Sequence, residues 1–89
     1  MSNYQPTIRG NVIDYVSVDL VDDTDVTLPL GSLTNEQIVC VYPVDQVLSS
    51  GAYINYMVWN ATGSSVVVTA STSVNSAKGK VQFAVVYKR

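Results

Sequence analysis

The sequence predicts an all-β fold, a small antiparallel β-sandwich or partly closed barrel of about six strands. Valine alone supplies 17 of the 89 residues, and threonine, tyrosine and isoleucine add to this excess of residues that favour strands. Apolar and polar residues alternate, or short apolar runs stand between turn residues, as is typical of strands. No window shows the period of an amphipathic helix. A chain of 89 residues is long enough for one domain.

The chain begins with an irregular segment that leads into a long strand. Met1–Gly10 contains a proline and a glycine and has no period, which predicts an extended N-terminal arm before a single β domain over residues 11–89. We expect the first strand at about Asn11–Val21, with its side chains alternating between two faces. Val16, Val18 and Leu20 share one face, and Tyr15, Ser17 and Asp19 share the other.

A polar turn and a short strand are predicted next. Asp22–Asp25 consists of residues that favour tight turns. The second strand is expected at about Asp25–Leu30. Because Pro29 has no N–H to donate to a ladder, this strand should lie at a sheet edge or end there. Gly31–Gln37 is predicted to be a connector.

The rest of the chain predicts four more strands. They are expected at about Gln37–Tyr42, Ala52–Trp59, Ser65–Ser71 and Lys80–Lys88, with a loop at Pro43–Gly51 after the first of them. The last strand has the most regular alternation in the chain. Its inward positions are Val81, Phe83, Val85 and Tyr87, and its outward positions are Lys80, Gln82, Ala84 and Lys88.

The predicted strand Ala52–Trp59 is the most aromatic part of the chain and carries large apolar groups on both faces. Tyr53, Asn55, Met57 and Trp59 share one face, and Ile54, Tyr56 and Val58 share the other. We interpret it first as a central strand covered on both sides. The alternatives are a strand with one face exposed as a protein interface, or a platform of aromatic rings that stacks sugars.

The residue types argue against catalysis and against nucleic-acid binding. The chain has no histidine, so the arrangements that pair histidine with serine or cysteine are excluded. Cys40 lies within an apolar strand and is expected to be buried and inert, and Glu36 is the only glutamate. Five basic residues and a net charge of −2 cannot form a phosphate-binding stripe. No segment has the length or character of a transmembrane span or a signal peptide, so no membrane association is expected.

One cluster of carboxylates is a candidate metal site. Asp22, Asp23 and Asp25, with Asp19 close by in sequence, could supply oxygen ligands to calcium. The cluster lacks the glycine and the distal glutamate of an EF-hand loop. Aspartate is also a common turn residue, and we therefore predict a turn with no metal and no cofactor.

The composition indicates a surface that other protein covers. Charged residues make up 13% of the chain, against about 25% in an average domain, and the chain has six tyrosines. Interfaces are depleted in charge and enriched in tyrosine. All three lysines occur at or after Lys78, which leaves the earlier strands without the charges that protect sheet edges. We therefore expect a neighbouring molecule, or the N-terminal arm of another copy, to cover at least one edge.

The chain as a whole resembles the small decoration or cement proteins of tailed-bacteriophage heads. The resemblance rests on the Met1–Gly10 arm, the histidine-free strands rich in valine, threonine and serine, and the tyrosine-ended strand Val81–Tyr87. It implies a non-catalytic virion protein, made in the host cytoplasm, that reinforces a capsid against the pressure of the packaged genome. It also implies binding to major capsid protein or another virion protein, and a homo-oligomer, with a trimer favoured.

The predicted contact residues come from the arm and from the aromatic strand. They are Tyr4, Ile8, Arg9, Tyr53, Met57 and Trp59. The alternative function is a receptor-binding or glycan-binding tip module of a phage tail fibre. That function predicts a concave site in which Trp59 or Tyr53 is exposed beside asparagine or aspartate side chains.

Overall fold

The described part of the chain consists of six strands and one short 3-10 helix. The computed structural model describes residues 11–30, 33–62 and 65–88, so the predicted arm Met1–Gly10 lies outside the described residues. The strands are β1 (Asn11–Val21), β2 (Asp25–Leu28), β3 (Ile38–Leu48), β4 (Ile54–Thr62), β5 (Ser65–Thr72) and β6 (Lys78–Lys88). The 3-10 helix, Ser49–Gly51, joins β3 to β4.

The strands form two antiparallel sheets of three strands each, with the orders β1-β6-β3 and β2-β5-β4. The prediction of an all-β fold is confirmed, and of its two variants the structure is the open sandwich, because neither sheet closes into a barrel. The chain passes from one sheet to the other after β1, β2, β3 and β5. As a result, β6 and β5 occupy the centres of the two sheets and the other four strands occupy the edges.

The core lies between the two central strands. Phe83, Val66 and Val68 are fully buried and belong to one apolar cluster to which both sheets contribute. In β5, buried residues alternate with partly exposed ones along the whole strand, because one face meets the core and the other does not. The predicted inward faces of β1 and β6 are confirmed, since Leu20, Val81 and Val85 also belong to this cluster.

Strand β3 is longer than the sequence predicts, and the predicted loop over Pro43–Gly51 is wrong for most of its length. The strand continues through Pro43 to Leu48. Proline is tolerated there because β3 lies at the edge of its sheet and its register with β6 shifts between Pro43 and Asp45. In β2 the proline has the predicted effect, because the strand stops at Leu28, directly before Pro29.

Strand β4 lies at a sheet edge, so its interpretation as a central strand is wrong. A register shift between Ile54 and Tyr56 moves Ile54 onto the same face as Met57 and Trp59, and all three pack against the core. Tyr56 points to the opposite side and is 64% exposed. Both faces therefore carry large residues because one extra residue in the strand changes the alternation.

Candidate binding surface

The outer face of the sheet β1-β6-β3 carries two adjacent rows of apolar side chains. The register aligns Tyr15 of β1, Ala84 of β6 and Tyr42 of β3 in one row. The next row consists of Ile13, Val86 and Cys40. We call these six residues the outer apolar face.

Two residues of the outer apolar face are buried even though they point away from the core. Ala84 is 0% exposed and Val86 is 5% exposed, yet neither belongs to the apolar cluster between the sheets. Tyr15 and Tyr42 stand directly opposite Ala84 on either side, at the distance where cross-strand side chains touch, and remain 55% and 42% exposed. The result is a flat, tyrosine-flanked platform on the outside of the sandwich.

Polar residues border the outer apolar face at one end. Asp19 and Lys80, opposite each other in β1 and β6, form an ion pair of 3.1 Å. Between this pair and the platform lies a polar row that contains Ser17 and Gln82. Both members of the ion pair are exposed, so it contributes little to stability. An apolar patch with a polar rim is the arrangement that marks protein interfaces.

The irregular backbone of β3 leaves two further valines exposed. Val39 and Val44 lie at the two register shifts of this strand, where each is left without an opposite residue in β6. Both are exposed. A bulge re-aims side chains, and both exposed valines lie in the strand that carries Tyr42.

Cys40 lies on this outer face, which corrects the expectation that it is buried in the core. The register shift between Ile38 and Cys40 directs Ile38 inward, where it is buried, and Cys40 outward opposite Val86. Its side chain is half-buried and its thiol is free. The apolar residues around Cys40 in the sequence do not indicate this register shift.

The outer face of the other sheet has a different chemistry. Its rows across β2, β5 and β4 combine Thr27 with Val67 and Asn60, and Asp25 with Thr69 and Val58. The Thr69 hydroxyl donates to the Asp25 carboxylate at 2.5 Å. Val58 and Tyr56 are also exposed on this side, where they are interspersed with polar groups. The sheet β1-β6-β3 differs in that its apolar and tyrosine side chains form two adjacent rows.

The predicted contact residues do not converge on the outer apolar face. Tyr4, Ile8 and Arg9 lie outside the described residues. Tyr53 is 56% exposed and precedes β4, whereas Met57 and Trp59 pack partly against the core. The sequence did place Tyr15 and Ala84 on outward faces of their strands. It could not show that they lie side by side, because their partnership depends on strands that are far apart in the chain.

The candidate calcium cluster has a structural role that the sequence did not reveal. The Asp22 carboxylate accepts hydrogen bonds from the backbone N–H groups of Thr72, at 2.8 Å, and Ser76, at 3.1 Å. Asp22 thereby ties the β1–β2 turn to the β5–β6 loop. These backbone hydrogen bonds, with that from Thr72 as the larger cause, lower the pKa of the Asp22 carboxyl below its ordinary value of 3.8.

Acid should therefore weaken the fold through Asp22. Because the pKa is lower in the folded state than in the unfolded state, the stabilisation is fully present above about pH 4 and is lost as the pH falls through the folded-state value. We expect Asp22→Asn to unfold at a lower urea concentration than the wild type at pH 7. The difference in midpoint should shrink as the pH falls below 4. A difference that stays constant down to pH 2 would show that the carboxylate charge is not the cause.

The described residues contain no pocket, no group of ligands suited to a metal ion, and no helix that could cross a membrane. In comparisons with known proteins, no family model, no curated protein and no solved structure matches this chain.

Proposed function

We propose that this chain is a non-catalytic binding module of a virion, which docks through its outer apolar face on a capsid subunit and reinforces the shell. The observation that carries the proposal is the row Tyr15–Ala84–Tyr42, in which a fully buried alanine lies between two exposed tyrosines on the outside of the sandwich. The resemblance to phage decoration proteins supplies the partner and the location.

The platform has the chemistry of an interface centre. Tyrosine is enriched among the residues that dominate binding energy, because it buries a large rigid area at a small entropy cost. Tyr15 and Tyr42 lie in edge strands on both sides of β6, so their rings start from fixed backbone positions in one sheet. Little reorganisation is needed before a partner can cover them.

Reinforcement would come from many weak contacts that act together. A bound copy that touches two capsid subunits makes the second contact intramolecular, which raises the cost of separating the subunits. No covalent chemistry is needed for this role. A small β-sandwich with few charges on its docking face is suited to it.

A binding assay with tyrosine variants tests this proposal. Undecorated heads of the phage that encodes the chain would be incubated with the purified protein and sedimented. Because truncating a central tyrosine costs about 2 kcal/mol, we expect Tyr15→Ala and Tyr42→Ala each to weaken binding about 30-fold. Tyr56→Ala is the matched control, since Tyr56 is also exposed but lies on the other sheet.

The proposal fails if the wild-type chain does not sediment with the heads, or if Tyr56→Ala weakens binding as much as Tyr15→Ala does. Circular dichroism of each variant would confirm that the fold is kept, which is expected because Tyr15 and Tyr42 lie outside the apolar cluster between the sheets and are each partly exposed.

The alternative of a glycan-binding tip module receives less support. It predicted a concave site around an exposed Trp59 or Tyr53, but Trp59 packs against the core and the described residues form no pocket. A titration of Trp59 fluorescence with host polysaccharide would decide the matter in its favour if binding saturated while the heads bound nothing.

A further inference from the structure

We infer that two copies of this chain associate through the free edges of their β1 strands, which pair antiparallel and join two sheets β1-β6-β3 into one six-stranded sheet. The pairing uses the backbone groups at the edge of β1, so it does not depend on which partner binds the outer apolar face.

The free edge of β1 presents a regular series of unpaired backbone groups. β1 is the last strand of its sheet, and no described strand pairs with its other side. The Asp22 N–H donates to the Ala77 carbonyl at 2.8 Å, in register with the β1–β6 ladder, so the even-numbered residues of β1 bond to β6. The odd-numbered residues therefore direct their N–H and C=O groups outward. These residues include Ile13, Tyr15, Ser17 and Asp19.

Two of the other three edges are interrupted or shortened in ways that hinder pairing. β2 has only four residues and is followed by Pro29. β3 contains Pro43 and two register shifts. Proline, bulges and short strands are the devices with which natural proteins block sheet edges.

The edge of β4 is also protected, partly by side chains. Its register shifts between Ile54 and Tyr56. The N–H of Ala61 donates to the Asn35 side chain at 2.8 Å, and the N–H of Ile54 donates to the Gln46 side chain at 3.1 Å. Groups on this edge are therefore already occupied.

β1 lacks these devices, and of the charged residues that also protect edges it has Asp14 on the inward face and Asp19 on the outer face. It runs for eleven residues without a proline, a lysine or a register shift against β6. A long, straight edge of this kind is a ready template for another strand. The contrast with the other three edges identifies β1 as the edge that is left available for pairing.

The free edges of two β1 strands are complementary to each other. The strand that pairs with β1 is therefore the β1 strand of a second copy of this chain. Two antiparallel β1 strands overlap over their full length when Val16 faces the Val16 of the other copy. In that register Asp14 stands opposite Val18 and Asp19 opposite Ile13, so no two carboxylates face each other and no like-charge repulsion arises across the pair. The inward-pointing carboxylate of Asp14 already accepts a hydrogen bond from the Tyr87 hydroxyl at 2.9 Å, so it has a partner within its own chain.

Pairing would also bring the outer apolar faces of the two copies side by side. Tyr15 lies on β1 and near the centre of the pairing register, so both copies would present their platforms on the same side of one sheet. If the outer apolar face docks on a partner as proposed above, the dimer doubles the docking surface and adds avidity.

The experiment compares the full-length wild type with Ser17→Pro and Ser17→Ala in sedimentation velocity over a dilution series. The Ser17 N–H points to the free edge, so proline removes a donor from the dimer without removing one from the β1–β6 ladder. Alanine at the same position keeps the N–H and is the matched control. We expect a dimer that dissociates on dilution for the wild type and for Ser17→Ala, and a folded monomer for Ser17→Pro.

Amide hydrogen exchange on the wild type gives a second readout that does not depend on whether the proline variant folds. At high concentration, where the dimer predominates, the N–H groups of Ile13, Tyr15 and Ser17 should be protected, and dilution should release them. A wild type that is monomeric at every concentration overturns the inference. So does a dimer that persists in folded Ser17→Pro, or edge protection that is independent of concentration and disappears when residues 1–10 are deleted.

Discussion

Replacing Phe83 with alanine is expected to lower the free energy of unfolding by about 3–5 kcal/mol. Phe83 is the largest of the fully buried side chains and lies in the middle of β6, the central strand of its sheet. Val16 and Pro43 flank it on the two neighbouring strands, and β5 of the opposite sheet contributes Val66 and Val68 to the same core. Both sheets would lose contacts, and the small residues around the site cannot fill the cavity.

The loss is large for a domain of this size. Stabilities of about 5–15 kcal/mol are usual, and small domains with limited cores belong to the lower part of that range. We therefore expect the melting temperature of Phe83→Ala to fall by about 15 °C or more. Gln82→Ala is the control, since Gln82 neighbours Phe83 on the outer face of β6 and should change stability by less than about 0.5 kcal/mol. Equal losses in the two variants would contradict the placement of the core.

Replacing Gly79 with alanine is expected to cost about 3 kcal/mol, because the backbone of β3 occupies the position of the new methyl group. A Cβ at Gly79 would lie 2.0 Å from the Val47 carbonyl oxygen and 2.9 Å from the Leu48 Cα. Backbone atoms cannot rotate away as a flexible side chain can. The variant therefore has to separate β3 from β6 at this end of the sheet or distort both strands.

Gly51→Ala separates this clash from the ordinary cost of losing a glycine. Gly51 has a φ of +67° and no atom lies within 4 Å of its Cβ position. Alanine there is strained only by its backbone conformation and should cost about 1 kcal/mol. Urea unfolding of both variants gives the comparison. A smaller loss for Gly79→Ala than for Gly51→Ala would mean that β3 and β6 are not so close at this point.

The sequence was sufficient for the fold class and for strands whose alternation is unbroken. The inward and outward faces of β6 and of β1 follow directly from their residues, since each strand pairs in a continuous register with the other. The sequence was insufficient where a bulge adds one residue to a strand. The bulges near Cys40, Pro43 and Asn55 each reverse the alternation beyond them, and no residue type marks such a point unambiguously.

The candidate site could not be predicted from the alternation of apolar and polar residues along the strands. Tyr15, Tyr42 and Ala84 come from the beginning, the middle and the end of the chain, and only the order β1-β6-β3 brings them into one row. The sequence instead directed attention to the aromatic segment around Tyr53–Trp59, because its residues are adjacent in the chain. In the fold, that segment lies at the edge of the other sheet and directs Met57 and Trp59 towards the core.

The low charge of the chain acquires a more specific meaning in the structure. The apolar side chains are arranged differently on the two outer faces. On the sheet β1-β6-β3 they form two adjacent rows, whereas on the other sheet Tyr56, Val58 and Val67 are interspersed with threonine, asparagine and aspartate. A protein that merely stays folded with few surface charges does not need different arrangements on its two outer faces. An asymmetric surface is the expected property of a molecule that docks one side on a partner and exposes the other.

Hydroxyl-radical footprinting of the chain, free and mixed with phage heads, tests the proposed docking face most directly. Tyr15 and Tyr42 should react readily in the free protein and become protected on the heads, while Tyr53 and Tyr56 should react to the same extent in both states. Protection of Tyr53 and Tyr56 with Tyr15 and Tyr42 left reactive would contradict the account, because the covered surface would then belong to the other sheet.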